Sequence, residues 1–123
     1  MNNPFLETIG ARLIEHDSGR ARMELPVTAK LLNSQMALHG GVIATLLDSV
    51  CGYAGLHRSS TDGWNRAVTV SLNVAYLAYP GREVILAAGR LEKTTRSLFF
   101  AYGEVWSGDT LIATGQGVFK FVS

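Results

Sequence analysis

Leu38-His39-Gly40-Gly41-Val42-Ile43-Ala44-Thr45-Leu46-Leu47-Asp48-Ser49-Val50-Cys51-Gly52-Tyr53-Ala54-Gly55 is the stretch on which the reading of this chain turns. Ile43, Leu46, Leu47, Val50 and Ala54 recur at helical spacing and predict a helix from Gly40 to His57 with one greasy side. Asp48 shares the other side of the wheel with Gly41, Thr45, Gly52 and Gly55, a small and polar side. Two features break ordinary helix design. Gly40-Gly41 stands where the helix begins, although glycine is a poor helix former. Without side chains, a ligand can approach the free N–H groups of the first turn, and the positive end of the helix dipole suits a carbonyl oxygen gaining negative charge. The pair also fits a plain helix boundary or close backbone packing. The second feature is Asp48, a carboxylate in the middle of the most apolar helix, where burial is costly unless it is paired. It reads equally as a catalytic group facing a cleft and as one half of a structural ion pair.

Working outward, Gly10 to Glu15 and Arg20 to Leu25 predict a hairpin about Asp17-Ser18-Gly19, after a short start at Phe5. Pro26 to Leu38 has no period and reads as a loop containing Asn33, Gln35 and Met36. Ser59 to Asn65 reads as a polar loop. Beyond it everything reads as strand. From Ala67 to Tyr79, Val68, Val70, Leu72 and Val74 alternate against Thr69, Ser71 and Asn73; Glu83 to Leu91, Leu98 to Trp106 and Leu111 to Val122 follow, with turns at Pro80-Gly81 and Ser107-Gly108-Asp109. The order ββ-α-ββββ, joined by short turns, predicts an α+β domain over 1–123, with one antiparallel sheet curled around one long helix.

Composition narrows the partners. At 123 residues the chain has room for one ordinary domain, and 47% apolar against 17% charged residues excludes disorder. So much apolar surface in so short a chain points to a homo-oligomer. A net charge of +1 gives no basic field, so no nucleic acid partner is expected. No apolar stretch suits a bilayer and Met1-Asn2-Asn3-Pro4 does not resemble a signal peptide, so no membrane partner and a cytoplasmic location are expected. Cys51 is the single cysteine and His16, His39 and His57 are far apart, so neither a metal nor another cofactor is expected. No Gly-x-Ser-x-Gly elbow suggests a serine triad.

His39-Gly40-Gly41 followed on the same helix by Leu46 and Asp48 resembles the signature of hotdog-fold thioesterases of the phenylacetate-degradation (PaaI-like) group. Asn33 ahead of it and the strand Val68 to Tyr76 fit the same pattern, as does the order of elements. The resemblance implies an acyl-CoA thioesterase in which the helix is the sausage and the sheet the bun. It further implies dimers joined sheet edge to sheet edge, common tetramers, and a site between subunits. Asp48 would be the general base or nucleophile and the Gly40 N–H would polarise the thioester carbonyl. Asn33 and His39 would line the site, and Thr69 falls where some members carry a serine near the carboxylate. The hydratase-type pairing of a His with an acid is absent.

This chemistry suits the residues. A thioester is already electrophilic and thiolate leaves readily, so a placed carboxylate and an oxyanion hole suffice. Gly41, beside Gly40, is a further substrate-binding candidate. Arg90, Lys93 and Arg96, with Thr94, Thr95 and Ser97, gather about the turn between two strands, where they suit the phosphates of CoA or simply a solvated turn. Arg96 is the one the resemblance favours. Arg58 and Arg66 are further cations without a motif, and Trp64, Phe99, Phe100 and Trp106 are assigned to core or interface. The alternatives are a non-catalytic hotdog module that binds acyl-CoA, and a structural oligomer with Asp48 in an ion pair.

Overall fold

The computed structural model of the chain describes residues 3–56 and 66–122. The expected loop Ser59 to Asn65, together with His57, Arg58 and Trp64, lies outside them. The elements are α1 (Pro4–Ile9), β1 (Arg12–Asp17), β2 (Arg20–Leu25), a 3-10 turn (Ala29–Leu31), α2 (Gly40–Gly55), β3 (Arg66–Tyr76), β4 (Ile85–Thr94), β5 (Leu98–Ser107) and β6 (Thr110–Val122). The reading of residues 5–9 as a short start missed α1. Its signals stand in the sequence: Asn3 caps the Leu6 N–H through Oδ1 at 3.2 Å, Pro4 opens the helix, and Gly10 closes it at φ 86°.

The sheet has six strands in the order β1-β2-β4-β5-β6-β3, all antiparallel, and α2 lies across one face of it. This is the expected hotdog arrangement, with one correction. Pro80-Gly81 is not a hairpin turn. β3 pairs with β6 at the far edge, and β4 pairs with β2. Residues 77–84 carry the chain across three strand spacings, about 14 Å in all.

Close approach of helix and sheet depends on a row of glycines. Gly89, Gly103 and Gly115 are register partners on neighbouring strands β4, β5 and β6. A Cβ at Gly89 would fall 2.5 Å from the Val50 carbonyl oxygen, and one at Gly103 3.0 Å from Leu47 Cδ2. The bare strip lets α2 settle onto the sheet. Its greasy side then disappears from water. Ile43, Leu46, Leu47, Val50 and Ala54 are all buried, against Met23, Leu25, Ile85, Val105 and Ile112. Burial of each large aliphatic side chain among them contributes about 2 kcal/mol. A second cluster joins Cys51 to Phe99, Ala101 and Phe119, the two rings stacked at 4.8 Å. Phe99 therefore belongs to the core. It also corrects the placing of Gly55 on the open side of the helix: Phe99 closes over that end, and a Cβ on Gly55 would meet its ring at 2.0 Å. No helix among the described residues is long and apolar enough to cross a membrane.

Candidate active site

Asp48 projects from the middle of α2 on the side away from the glycine row. It is half-buried, and its Oδ1 accepts a 2.8 Å hydrogen bond from the Thr69 hydroxyl of β3. Simple alternation places Thr69 with Ser71 and Asn73 on the polar face of that strand. The structure places it on the helix side, because β3 shifts register between Thr69 and Ser71: Thr69 pairs with the core residue Phe119, and Ser71 with Val118. One extra residue in a strand reverses the phase of everything on one side of it. Val68 and Val70 are left exposed at 51% and 58%. Asp48 forms no ion pair among the described residues, so nothing there supports the reading of it as half of a structural pair.

The pair stands over a cleft of about 220 Å³, whose other walls include Gly52, Tyr53, Leu56, Ala67 and Phe119. A carboxylate thus sits in a recess of mixed lining, with Asn3, Ser49 and Thr69 as its other polar residues. Of the other walls just named, the sequence reading placed only Gly52 beside Asp48. Ala67 was recoverable from its place ahead of Thr69 on the strand, but Leu56 and Phe119 come from separate elements with no motif between them. Below the cleft, burial pushes the Cys51 thiol up to about 12, helped by the nearby negative charge of Asp48 and then of Glu92.

A second group of polar atoms forms at the start of α2. Asn33 N–H donates to the Ala37 carbonyl at 2.7 Å, while Asn33 Oδ1 accepts from the N–H groups of Gln35 at 2.9 Å and Ala37 at 3.1 Å. Met36, at φ 63°, completes this tight turn, and the His39 N–H donates to the Leu31 carbonyl at 2.9 Å. The carbonyl oxygen of Asn33 is therefore committed to the loop, leaving its amide NH₂ to donate. His39 caps the helix: its Nδ1 accepts from the Gly41 N–H at 2.8 Å. A neutral His39 in that role carries its proton on Nε2. A Cβ on Gly41 would press on His39 Nδ1 at 3.0 Å, so a larger residue there would push the capping ring back. The N–H groups of Val42 and Ile43 reach the His39 carbonyl at 2.9 and 3.4 Å. In that first turn only the Gly40 N–H makes no hydrogen bond among the described residues.

His39, Gly40 and Gly41 are thus brought together, with Asn33 in the turn that leads into them, and so are Asp48 and Thr69. The two groups stand roughly 12 Å apart along the helix axis. The basic residues lie elsewhere. Arg90 points from the outer face of the sheet, its guanidinium 4.5 Å over the Tyr102 ring and 3.7 Å from Glu92. A register shift between Leu91 and Lys93 sets Lys93 opposite Phe100, and Arg96 lies in the β4–β5 turn. Lys93 and Arg96 are exposed and form no ion pair among the described residues.

An antiparallel sheet wrapped on one long helix defines a small hotdog-fold domain. The comparisons agree: the family model described as "Thioesterase superfamily" matches residues 36–114, more than half of the chain. The chain belongs to that superfamily, whose chemistry is hydrolysis of a thioester. Among solved structures it is similar to conserved protein PA5202 from Pseudomonas aeruginosa, at TM-score 0.92 and 27% identity over 99% of this chain and 96% of that one. It is also similar to a mutant of the phenylacetic acid degradation protein PaaI from Thermus thermophilus, at TM-score 0.85 and 26% identity over 96% of this chain and 98% of that one. A relative from Archaeoglobus fulgidus, provisionally named an esterase, is 26% identical over 94% of this chain and 73% of its own length.

Proposed function

We propose that the chain, as one hotdog domain over 1–123, hydrolyses an acyl-CoA or aryl-acyl-CoA to the free acid and CoA. The observation that carries this reading is the Asp48 carboxylate, held by Thr69 at 2.8 Å on the rim of a cleft that Tyr53, Leu56, Ala67 and Phe119 also line. Asp48 acts as general base or as nucleophile. As base it takes a proton from water while the water oxygen bonds to the carbonyl carbon; the C–S bond then breaks and CoA leaves as thiolate. The Gly40 N–H, at the positive end of α2, meets the negative charge that builds on the carbonyl oxygen. His39 and the Asn33 amide line the same end, and the Gly41 N–H, already given to His39, serves substrate only through the cap. Lys93 and Arg96 supply charge for the phosphates of CoA; Arg90, held by Tyr102 and Glu92, supplies less. The PaaI relative is named for phenylacetic acid degradation, which favours an aryl-acyl thioester.

The site is completed in a homodimer or a tetramer of such dimers. One carbonyl does not bridge the roughly 12 Å from Gly40 to Asp48 within a chain, but a two-fold axis sets the start of one helix beside the middle of its partner. β3 supports this: it is an edge strand, 11 residues long, with Val68 and Val70 exposed on it. Release of thiol from a panel of acyl-CoAs tests the hydrolysis. Thiol release from none of them while acyl-CoA still binds would leave a binding module. Mixed dimers of two individually inactive variants, Asp48→Ala and Gly40→Val, test the sharing. Random pairing restores about a quarter of wild-type activity if sites are shared, and none if each is built within one chain.

A further inference from the structure

The peptide unit between Gly40 and Gly41 is gripped at both of its polar ends. Its carbonyl, that of Gly40, accepts a 2.7 Å hydrogen bond from the Tyr76 hydroxyl. Its N–H, that of Gly41, donates to His39 Nδ1 at 2.8 Å. The second contact is local to the helix cap. The first arrives from the last residue of β3, a strand whose long register with β6 fixes it independently of the helix start. Tyr76 does more than donate. Its ring lies over Gly40, where a Cβ would touch it at 3.4 Å. Yet Tyr76 is 54% exposed, so core packing does not account for its placement.

Two successive glycines make the loosest possible start to a helix, since each gives up more backbone freedom than any other residue on being ordered. A peptide plane turns only about the soft dihedrals on either side of it. Fixing both polar ends of the Gly40–Gly41 plane therefore restrains ψ of Gly40 and φ of Gly41; the preceding plane, which carries the Gly40 N–H, is held by the Val42 and Ile43 N–H groups on the His39 carbonyl, so the two together set the direction of that N–H. A donor is most useful to a developing oxyanion when it needs no rearrangement at the moment of reaction. Glycines keep the approach to that N–H clear, and the two side chains restore the stiffness that glycines remove.

We propose that Tyr76 is a positioning residue: with His39 it clamps the Gly40–Gly41 peptide and so holds the Gly40 N–H on the thioester carbonyl. The inference rests on the reading of Gly40 as the polarising donor. Tyr76 acts through the peptide and not on the substrate, so its loss is felt in the transition state more than in binding.

Tyr76→Phe keeps the ring and removes the hydroxyl. In a ¹⁵N-labelled protein the Gly40 and Gly41 amide signals should shift, and the Gly41 amide should exchange faster with solvent. kcat should fall roughly fivefold to tenfold with KM within about twofold, as for one lost hydrogen bond acting only in the transition state. Combined with His39→Ala, it should cost less than the product of the two separate losses, because both act on one peptide. Unmoved glycine amides would show that there is no clamp. Shifted amides with wild-type kcat, a loss confined to KM, or strictly multiplicative losses would each show that Tyr76 does not position the donor. Failure of the hydrolase reading looks different: wild type itself would release no thiol from any acyl-CoA.

Discussion

Leu47 and Asp48 are neighbours in sequence and opposites in the molecule. Leu47 is fully buried, wedged onto the glycine row with its Cδ atoms near where Cβ atoms of Gly103 and Gly115 would stand, at 3.0 and 3.2 Å. Asp48, about 100° further round the helix, looks the other way, into a cleft, and among the described residues its hydrogen-bond partner is a hydroxyl. One helix therefore has a side that holds the protein together and a side that is free to do chemistry. The two sides have opposite composition because they answer to different costs. A cavity or a misplaced methyl is expensive where atoms are close-packed. A lone carboxylate is tolerable only where water or substrate reaches it.

If this division is right, mutations on the two sides should separate stability from turnover. Leu47→Ala should have the largest effect, a loss of about 3 kcal/mol in urea unfolding, while the protein that remains folded turns over within about twofold of wild type. Asp48→Asn should do the reverse: roughly a hundredfold lower kcat, equal to about 2.7 kcal/mol, with an unchanged unfolding midpoint. A variant that unfolded instead would make Asp48 a structural group and erase the distinction.

Thr69→Val sharpens the comparison on the open side. The shape is kept and the donor to Asp48 is lost, so kcat/KM should fall about tenfold with little change in the urea midpoint. Wild-type kinetics in this variant would mean that Asp48 is placed by the helix alone. The smallest effect belongs to Cys51, one turn beyond Leu47 on the buried side. With its thiol pushed up to about 12 and no exposed surface, Cys51 should not react with a thiol dye at pH 8 until the protein is unfolded. Labelling of native protein at the rate of a free thiol would show that this side of the helix opens readily. The same silence leaves a dye assay of CoA release with no background from the enzyme.

The sequence by itself determined the helix, its greasy side and the odd carboxylate on the other, because helical periodicity is a local property of 3.6 residues per turn. It determined most strands for the same reason, with a period of two. The resemblance carried by His39-Gly40-Gly41 and Asp48 named the candidate site, and the structure places its residues at two ends of one helix half. Four things were decided only by the tertiary structure. The crossing of β3 to the far edge depends on which strands pair, and alternation within one strand carries no information about its neighbour. The register shift beside Thr69 turns that hydroxyl toward Asp48, against the phase that the letters alone suggest. Gly89, Gly103 and Gly115 are scattered along the chain and become one strip only when three strands align. Tyr76 belongs with them: 36 residues from Gly40, it comes into hydrogen-bonding reach because the edge strand ends beside the helix start. Local pattern fixes what each segment is; long-range pairing fixes which atoms meet.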